Sequence, residues 1–136
     1  MSTPTLICER FQSKFFVEFG EVKVGDLITK KFRLENPNPN LPISVSTSTN
    51  RNFESSGFAI NFPSLLAGNV EILPGGIVEG EISWWPKSDL KVFETVYFKV
   101  DNKVDSKFTL SMALLGTANV CTCIFFITYR LIFRFD

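Results

Sequence analysis

The sequence predicts an all-β fold, an antiparallel β-sandwich of about seven to eight strands, and three observations predict it. Fifteen phenylalanines stand beside many Val and Ile residues, a composition suited to pleated, half-buried surfaces. Apolar residues alternate with polar ones, and no long stretch carries them at the three-and-four spacing of an amphipathic helix. Clusters of Gly, Pro, Asn and Asp punctuate the chain at intervals of roughly 8 to 12 residues. A chain of 136 residues holds one domain with a sizeable core and is too short for two. The expected division is a sandwich over residues 1–118 and a hydrophobic tail over 119–136.

In chain order, Phe15 to Phe19 is a short apolar run ending at Gly20, and Val22, Val24 and Gly25 make a second extended piece followed by a turn. From Leu27 to Glu35, Ile28, Phe32 and Leu34 share one face and Thr29, Lys31 and Arg33 the other; Lys30 breaks the pattern and suggests an edge or a bulge. Asn36-Pro37-Asn38-Pro39-Asn40 stops this strand, because its prolines remove donors and its asparagines tolerate turn conformations. Ile43 and Val45 begin another strand, and Ser46 to Ser56 reads as a long loop or a crossing between sheets. Phe58, Ile60 and Phe62 alternate again, Ser64 to Asn69 looks like an insertion, and Val70 to Leu73 enters the turn Pro74-Gly75-Gly76.

The organising strand is Ile77 to Trp85. Alternation puts Ile82 and Trp84 on one face and Ser83 and Trp85 on the other, and Pro86 cannot continue the ladder. Trp84 is the expected core anchor. Trp85, a large aromatic on the opposite face, either packs under a loop or waits for a partner. Val92, Val96, Phe98 and Val100 then share a face opposite Thr95, Tyr97 and Lys99, Asp101-Asn102-Lys103 reads as a hairpin turn, and Lys107 to Leu115 is a last strand ending at Gly116. Together these strands describe an immunoglobulin-like sandwich.

Composition excludes several kinds of function. Fourteen Lys and Arg balance fourteen Asp and Glu, so no global field draws nucleic acid or an anionic membrane to the protein. Histidine is absent, which removes the usual general base near neutral pH and the commonest zinc ligand; most hydrolase readings fall with it. Cys8, Cys121 and Cys123 are too few and too badly placed for a disulfide framework. With no signal-like start and no Asn-x-Ser/Thr acceptor, an intracellular protein is expected.

The motifs Phe19-Gly20-Glu21-Val22, Gly25, Phe32-x-Leu34-x-Asn36-Pro37-Asn38, Leu73-x-Gly75, Ile82-x-Trp84-x-Pro86 and Leu114-x-Gly116-x-Ala118 resemble, in order and spacing, the ASH domains. These are cytosolic sandwiches related to major sperm protein and found in centrosomal, spindle-pole and ciliary proteins. Within the class the likeness is greatest to the N-terminal domain of abnormal spindle (ASPM-type) proteins, and it covers Leu6 to Ala118. The resemblance implies a non-enzymatic targeting and protein-interaction domain of an abnormal-spindle-type protein, acting at spindle poles, centrosomes and microtubule minus ends in cell division. It implies a cytoplasmic location on the cytoskeleton, with the nucleus in interphase left open. The segment Ser64 to Asn69 is longer than the family pattern. Calponin-homology domains and IQ repeats lie outside this sequence, so microtubule and calmodulin binding are not carried over.

A structural zinc needs four ligands, and Cys121-Thr122-Cys123 has only one further cysteine and no histidine to join it. The glycines at 75, 76 and 80 lack the lysine and hydroxyl of a phosphate loop, and Asp89, Asp101 and Asp105 match no calcium loop. No catalytic, cofactor-binding or metal residue is expected. Lys23, Lys30, Lys31 and Arg33 read either as a basic patch for acidic peptides or as a solvated strand face. The candidate partner contacts are Trp85, Asn36, Asn38, Lys31 and Arg33, and the expected partners are proteins at spindle poles or centrosomes, not nucleic acid or a small-molecule substrate. The apolar run Cys121 to Tyr129, followed by Arg130 and Arg134, is too short and interrupted for a membrane span; it reads as a loosely held end or as an added strand or sticky edge. Self-association through an edge or this tail, in the manner of a self-assembling cytoskeletal protein of the major sperm protein type, is the alternative function.

Overall fold

The computed structural model describes residues 3–12, 14–63, 68–102 and 107–120, which form two β-sheets packed face to face. The strands are β1 (Thr5–Ile7), β2 (Phe15–Lys23), β3 (Ile28–Glu35), β4 (Ile43–Thr49), β5 (Phe58–Asn61), β6 (Val70–Ile72), β7 (Ile77–Trp84), β8 (Leu90–Asp101) and β9 (Phe108–Asn119). One sheet has the order β1-β3-β7-β5 and the other β2-β9-β8-β4-β6. The expected sandwich is present. Its N-terminal strands add a feature that alternation does not encode: β1 pairs with β3, and β2 with β9, in parallel, while the other pairings are antiparallel.

Several boundaries differ from the sequence reading. Phe15 to Phe19 and the piece after Gly20 are one strand, joined through a register shift between Glu18 and Gly20. Gly20, at φ 69°, takes the left-handed turn that lets β2 carry its extra residue and still follow β9. Lys30 is not bulged, since β3 and β7 pair without interruption; β1 covers only Arg33 to Glu35, so Lys30 stands on the half of β3 that β1 does not reach. β4 extends through Thr49, and residues 50–57 then cross to the other sheet. Thr95 shares its face with Tyr97 yet is buried, and its backbone N–H bonds to the Asn50 side chain at 3.0 Å. The proposed turn residue Lys103, residues 64–67 of the expected insertion Ser64 to Asn69, and the expected tail from residue 121 onward lie outside the described residues.

The largest correction concerns Gly116. It does not end the last strand, because β9 continues to Asn119. It sits mid-strand under the Trp84 ring, where an added Cβ would collide with the indole. Trp84 comes from the other sheet and is fully buried, so the missing side chain on β9 is what lets this indole bridge the two layers. Phe58 stacks on Trp84 at 5.4 Å between centroids, Phe19 meets its edge at 5.8 Å, and its indole N–H donates to the Ser56 carbonyl at 2.9 Å. A second aromatic cluster of Phe32, Phe62 and Phe98, with centroids 5.5 to 5.7 Å apart, fills the core around Gly80.

Both glycines are therefore seats for rings that have nowhere to move. Gly80→Ala and Gly116→Ala are each expected to lower stability by about 1–3 kcal/mol through overpacking, measured by urea denaturation; an unchanged midpoint would remove the packing account.

Candidate partner-binding surface

Trp85 follows Trp84 with the opposite parity, so seating one indole in the core aims the next one outward. Three chain segments hold it there. Its backbone N–H donates to the Gly57 carbonyl at 2.8 Å, its indole N–H donates to the Gly25 carbonyl at 2.9 Å, and the Gly25 N–H returns a bond to the Pro86 carbonyl at 2.8 Å. Gly57 has φ 97°, and a Cβ there would strike the Trp85 carbonyl, so glycine is required on both counts. The Lys87 ammonium lies 4.7 Å from the indole centroid, within cation–π range. Trp85 is nevertheless 49% exposed, and Leu27, on the loop that receives its indole, is exposed too. A ring held by a hydrogen bond and flanked by a cation loses little freedom on binding.

Asn36 has a different place. It is fully buried, its amide N–H group lies 2.9 to 3.2 Å from the carbonyls of Leu41, Ile72 and Leu73, and its carbonyl oxygen accepts from the Asn38 N–H at 2.9 Å. Its backbone N–H bonds to the Gly76 carbonyl at 3.0 Å. Asn36 is thus a clasp between the proline loop and the turn before β7, and its side chain offers a partner no surface. Asn38 is partly exposed, but its side-chain oxygen accepts from the Asn40 and Leu41 N–H groups at 2.8 and 3.0 Å. The exposed faces of this loop belong to Pro37, Pro39, Asn40 and Leu41.

The cations do not gather. Lys31 and Arg33 share the outer face of the four-stranded sheet, but each stands opposite a carboxylate, Glu81 and Glu79 respectively, a pairing that cancels charge across the strands. Arg33 is half-buried and donates to the Thr3 carbonyl at 3.1 Å, while its Nε is buried with no partner among the described residues. Lys30 has the opposite parity on β3, and Lys23 belongs to the other sheet. Lys31 is exposed. The proline loop abuts the start of β7 and Trp85 follows its end, so about 25 Å of strand separates them; they form two surfaces, one at each end of the sandwich.

Burial pushes the Cys8 thiol up to about 12, the backbone bond at Glu35 opposing this only in part, which leaves it protonated and unreactive near neutral pH. Among the described residues no group of three or more His, Cys, Asp or Glu comes together to hold a metal ion, and no helix is long and apolar enough to cross a membrane. The sequence reading missed Leu27, Lys87 and the exposed rings of Phe16 and Phe93. Phe93 was discoverable, since it falls on the polar parity of β8.

Removing the Asn36 amide leaves three carbonyls without their donor. Asn36→Ala is expected to lose about 1–3 kcal/mol of stability, the usual cost of orphaned buried polar groups, in a thermal or urea melt. A loss no larger than that of a surface substitution would show that the clasp is dispensable.

The family model described as "Abnormal spindle-like microcephaly-assoc'd, ASPM-SPD-2-Hydin" (ASH) matches residues 4–108. Among solved structures, the chain is similar to the ASH/PapD-like domain 7 of human CEP192, with a TM-score of 0.60 and 13% identity over 80% of this chain and 84% of that one. It is similar to SSP-19, an MSP-domain protein like family member in Caenorhabditis elegans, with a TM-score of 0.51 and 10% identity over 77% and 94% of the two chains. The Vibrio cholerae VesB protease aligns at a TM-score of 0.59 and 10% identity, over 76% of this chain but only 30% of its own. At such identities these structures share the fold alone. No curated protein sequence matches the chain. With the family model spanning residues 4–108 of 136, the chain belongs to the ASH family.

Proposed function

We propose that this ASH domain is a non-enzymatic targeting module that helps place a protein of the abnormal-spindle type at spindle poles or centrosomes, acting in the cytoplasm through protein partners. The family description and the likeness to a CEP192 domain support this reading. The observation that carries the mechanism is Trp85, a half-exposed indole fixed by the Gly25 carbonyl and flanked by Lys87. Rigid aromatic anchors of this kind dominate protein–protein binding energy. Leu27 extends the apolar contact, while Lys31 and the outward faces of the proline loop contribute at other points of the surface.

Self-assembly is the second reading. β2 is a nine-residue strand at the edge of its sheet, the kind of edge another chain can extend. Its bulge and the exposed Glu18, Glu21 and Lys23 blunt that edge, which favours recognition of a different protein.

The test is a fluorescent fusion of the full chain followed through mitosis beside its Trp85→Ala variant, with circular dichroism to confirm that the variant folds. Enrichment of the wild type at spindle poles and a loss of about 30-fold in partner affinity for the variant, the scale of a hot-spot residue, is the expected outcome. A diffuse wild type would contradict the targeting role, and equal enrichment of both would move the contact away from Trp85.

A further inference from the structure

β7 is a central strand along half of its length and an edge along the other half. β3 pairs with all of it, whereas β5 covers only Glu81 to Trp84. Two hydrogen bonds fix which way its main chain points. The Gly76 carbonyl accepts from the Asn36 N–H on the β3 side, and the Trp85 N–H donates to the Gly57 carbonyl on the β5 side. In an antiparallel ladder both main-chain groups of a residue point to the same neighbour, and successive residues alternate. Val78 and Gly80 therefore serve β3, while Ile77 and Glu79 point the other way. Continuing the β5 register would bring Pro63 opposite Glu79, and proline has no N–H to give the Glu79 carbonyl. β5 stops at Asn61, and among the described residues nothing takes up the N–H and C=O groups that Ile77 and Glu79 turn to this side.

We infer that an extended segment of a partner protein adds to β7 at this point as a short antiparallel strand in line with β5, its apolar side chains turned inward and a lysine or arginine beside Glu79. A groove of about 530 Å³ lies along the open edge, with Ile60, Phe62 and Gly80 on its core side and Asn61, Glu79 and Glu81 on its outer rim. The unpaired main-chain groups bind any strand, and the two sides of the groove choose among strands by their alternate side chains. Charge settles the outer side. Arg33 stands opposite Glu79 on β3 but turns its guanidinium to the Thr3 carbonyl, and the exposed Glu79 carboxylate makes no ion pair among the described residues. It attracts a cation directly across from it and repels an acidic strand. A second copy offering the same short edge would bring its own Glu79 up to this one, so the charge favours a different, basic chain. Ile77 to Gly80 spans about 13 Å, room for a strand of about four residues. Trp85 lies six residues further on, about 20 Å away, so this contact stands apart from the one proposed there.

Amide hydrogen exchange of the full chain reads the edge itself. The N–H groups of Ile77 and Glu79 are expected to exchange at least about tenfold faster than those of Val78 and Gly80, which lie in the β3 ladder. The probe for the partner is a fluorescein-labelled seven-residue peptide alternating Lys and Val, titrated by anisotropy and by amide NMR. Binding is expected to saturate, to shift the Ile77 and Glu79 resonances and to slow their exchange. A lysine placed opposite Glu79 points its own N–H at β7, so N-methylating the lysines is expected to weaken binding about tenfold, whereas N-methylating the valines leaves it unchanged. Glu79→Lys, a change at an exposed side chain, is expected to weaken it about tenfold as well. A Glu79 amide as protected as Val78 would overturn the inference, and protection that fades on dilution would overturn it in favour of a second copy on this edge. Lack of saturable binding, shifts confined to other surfaces, equal affinity for the two N-methylated peptides, or unchanged affinity in Glu79→Lys would each overturn it too.

Discussion

The contact between the Trp84 indole and the bare backbone of Gly116 is the constraint on which the sandwich depends. Two sheets pack about 10 Å apart, and one large ring from the four-stranded sheet fills that gap only if the facing strand surrenders a side chain. Gly116 does so in the middle of β9, the position at which a sequence reader expects a strand to stop. Around this seat Phe58, Phe19 and Phe53 close a ring cluster, and the indole N–H fastens the crossing loop through Ser56. The loop that carries the chain from one sheet to the other is thus tied to the same residue that joins them.

The exposed surface inherits its order from this core. Because strand parity alternates, a fully buried Trp84 leaves Trp85 outside, and the Gly57 and Gly25 carbonyls then fix its direction. At the other end of β7 the buried Asn36 performs a comparable task for the proline loop, by hydrogen bonds in place of packing. The protein therefore presents two braced ends and a charge-balanced flat face, an arrangement suited to recognition by shape. Among the described residues, two buried polar atoms, Glu94 Oε1 and Arg33 Nε, lack hydrogen-bond partners and draw on the stability that the aromatic clusters supply.

What the sequence disclosed follows from what local patterns encode. Alternation of apolar and polar residues located β3, β7, β8 and the start of β9, and it singled out Trp84 correctly as the buried member of the tryptophan pair. Features that depend on distant partners were not legible. β1 is three residues long and exists because β3 offers it a ladder; Gly20 looked like a terminator because nothing local shows that β9 continues to pair beyond it. Asn36 looked like a polar loop residue open to a partner, since asparagine is ordinarily solvated. Only the convergence of Leu41, Ile72 and Leu73 carbonyls explains its burial. Lys31 and Arg33 looked basic because Glu81 and Glu79 are far away in sequence and adjacent only in register.

The most direct test of this account is a double-mutant cycle between Trp84→Phe and Gly116→Ala, read by urea denaturation. If the indole needs the empty position on β9, the alanine is well tolerated once the smaller ring is present, and the two substitutions couple by about 1–2 kcal/mol. Strictly additive losses would mean that the ring and the glycine stabilise the sandwich independently, and that the two sheets are joined by something other than this contact.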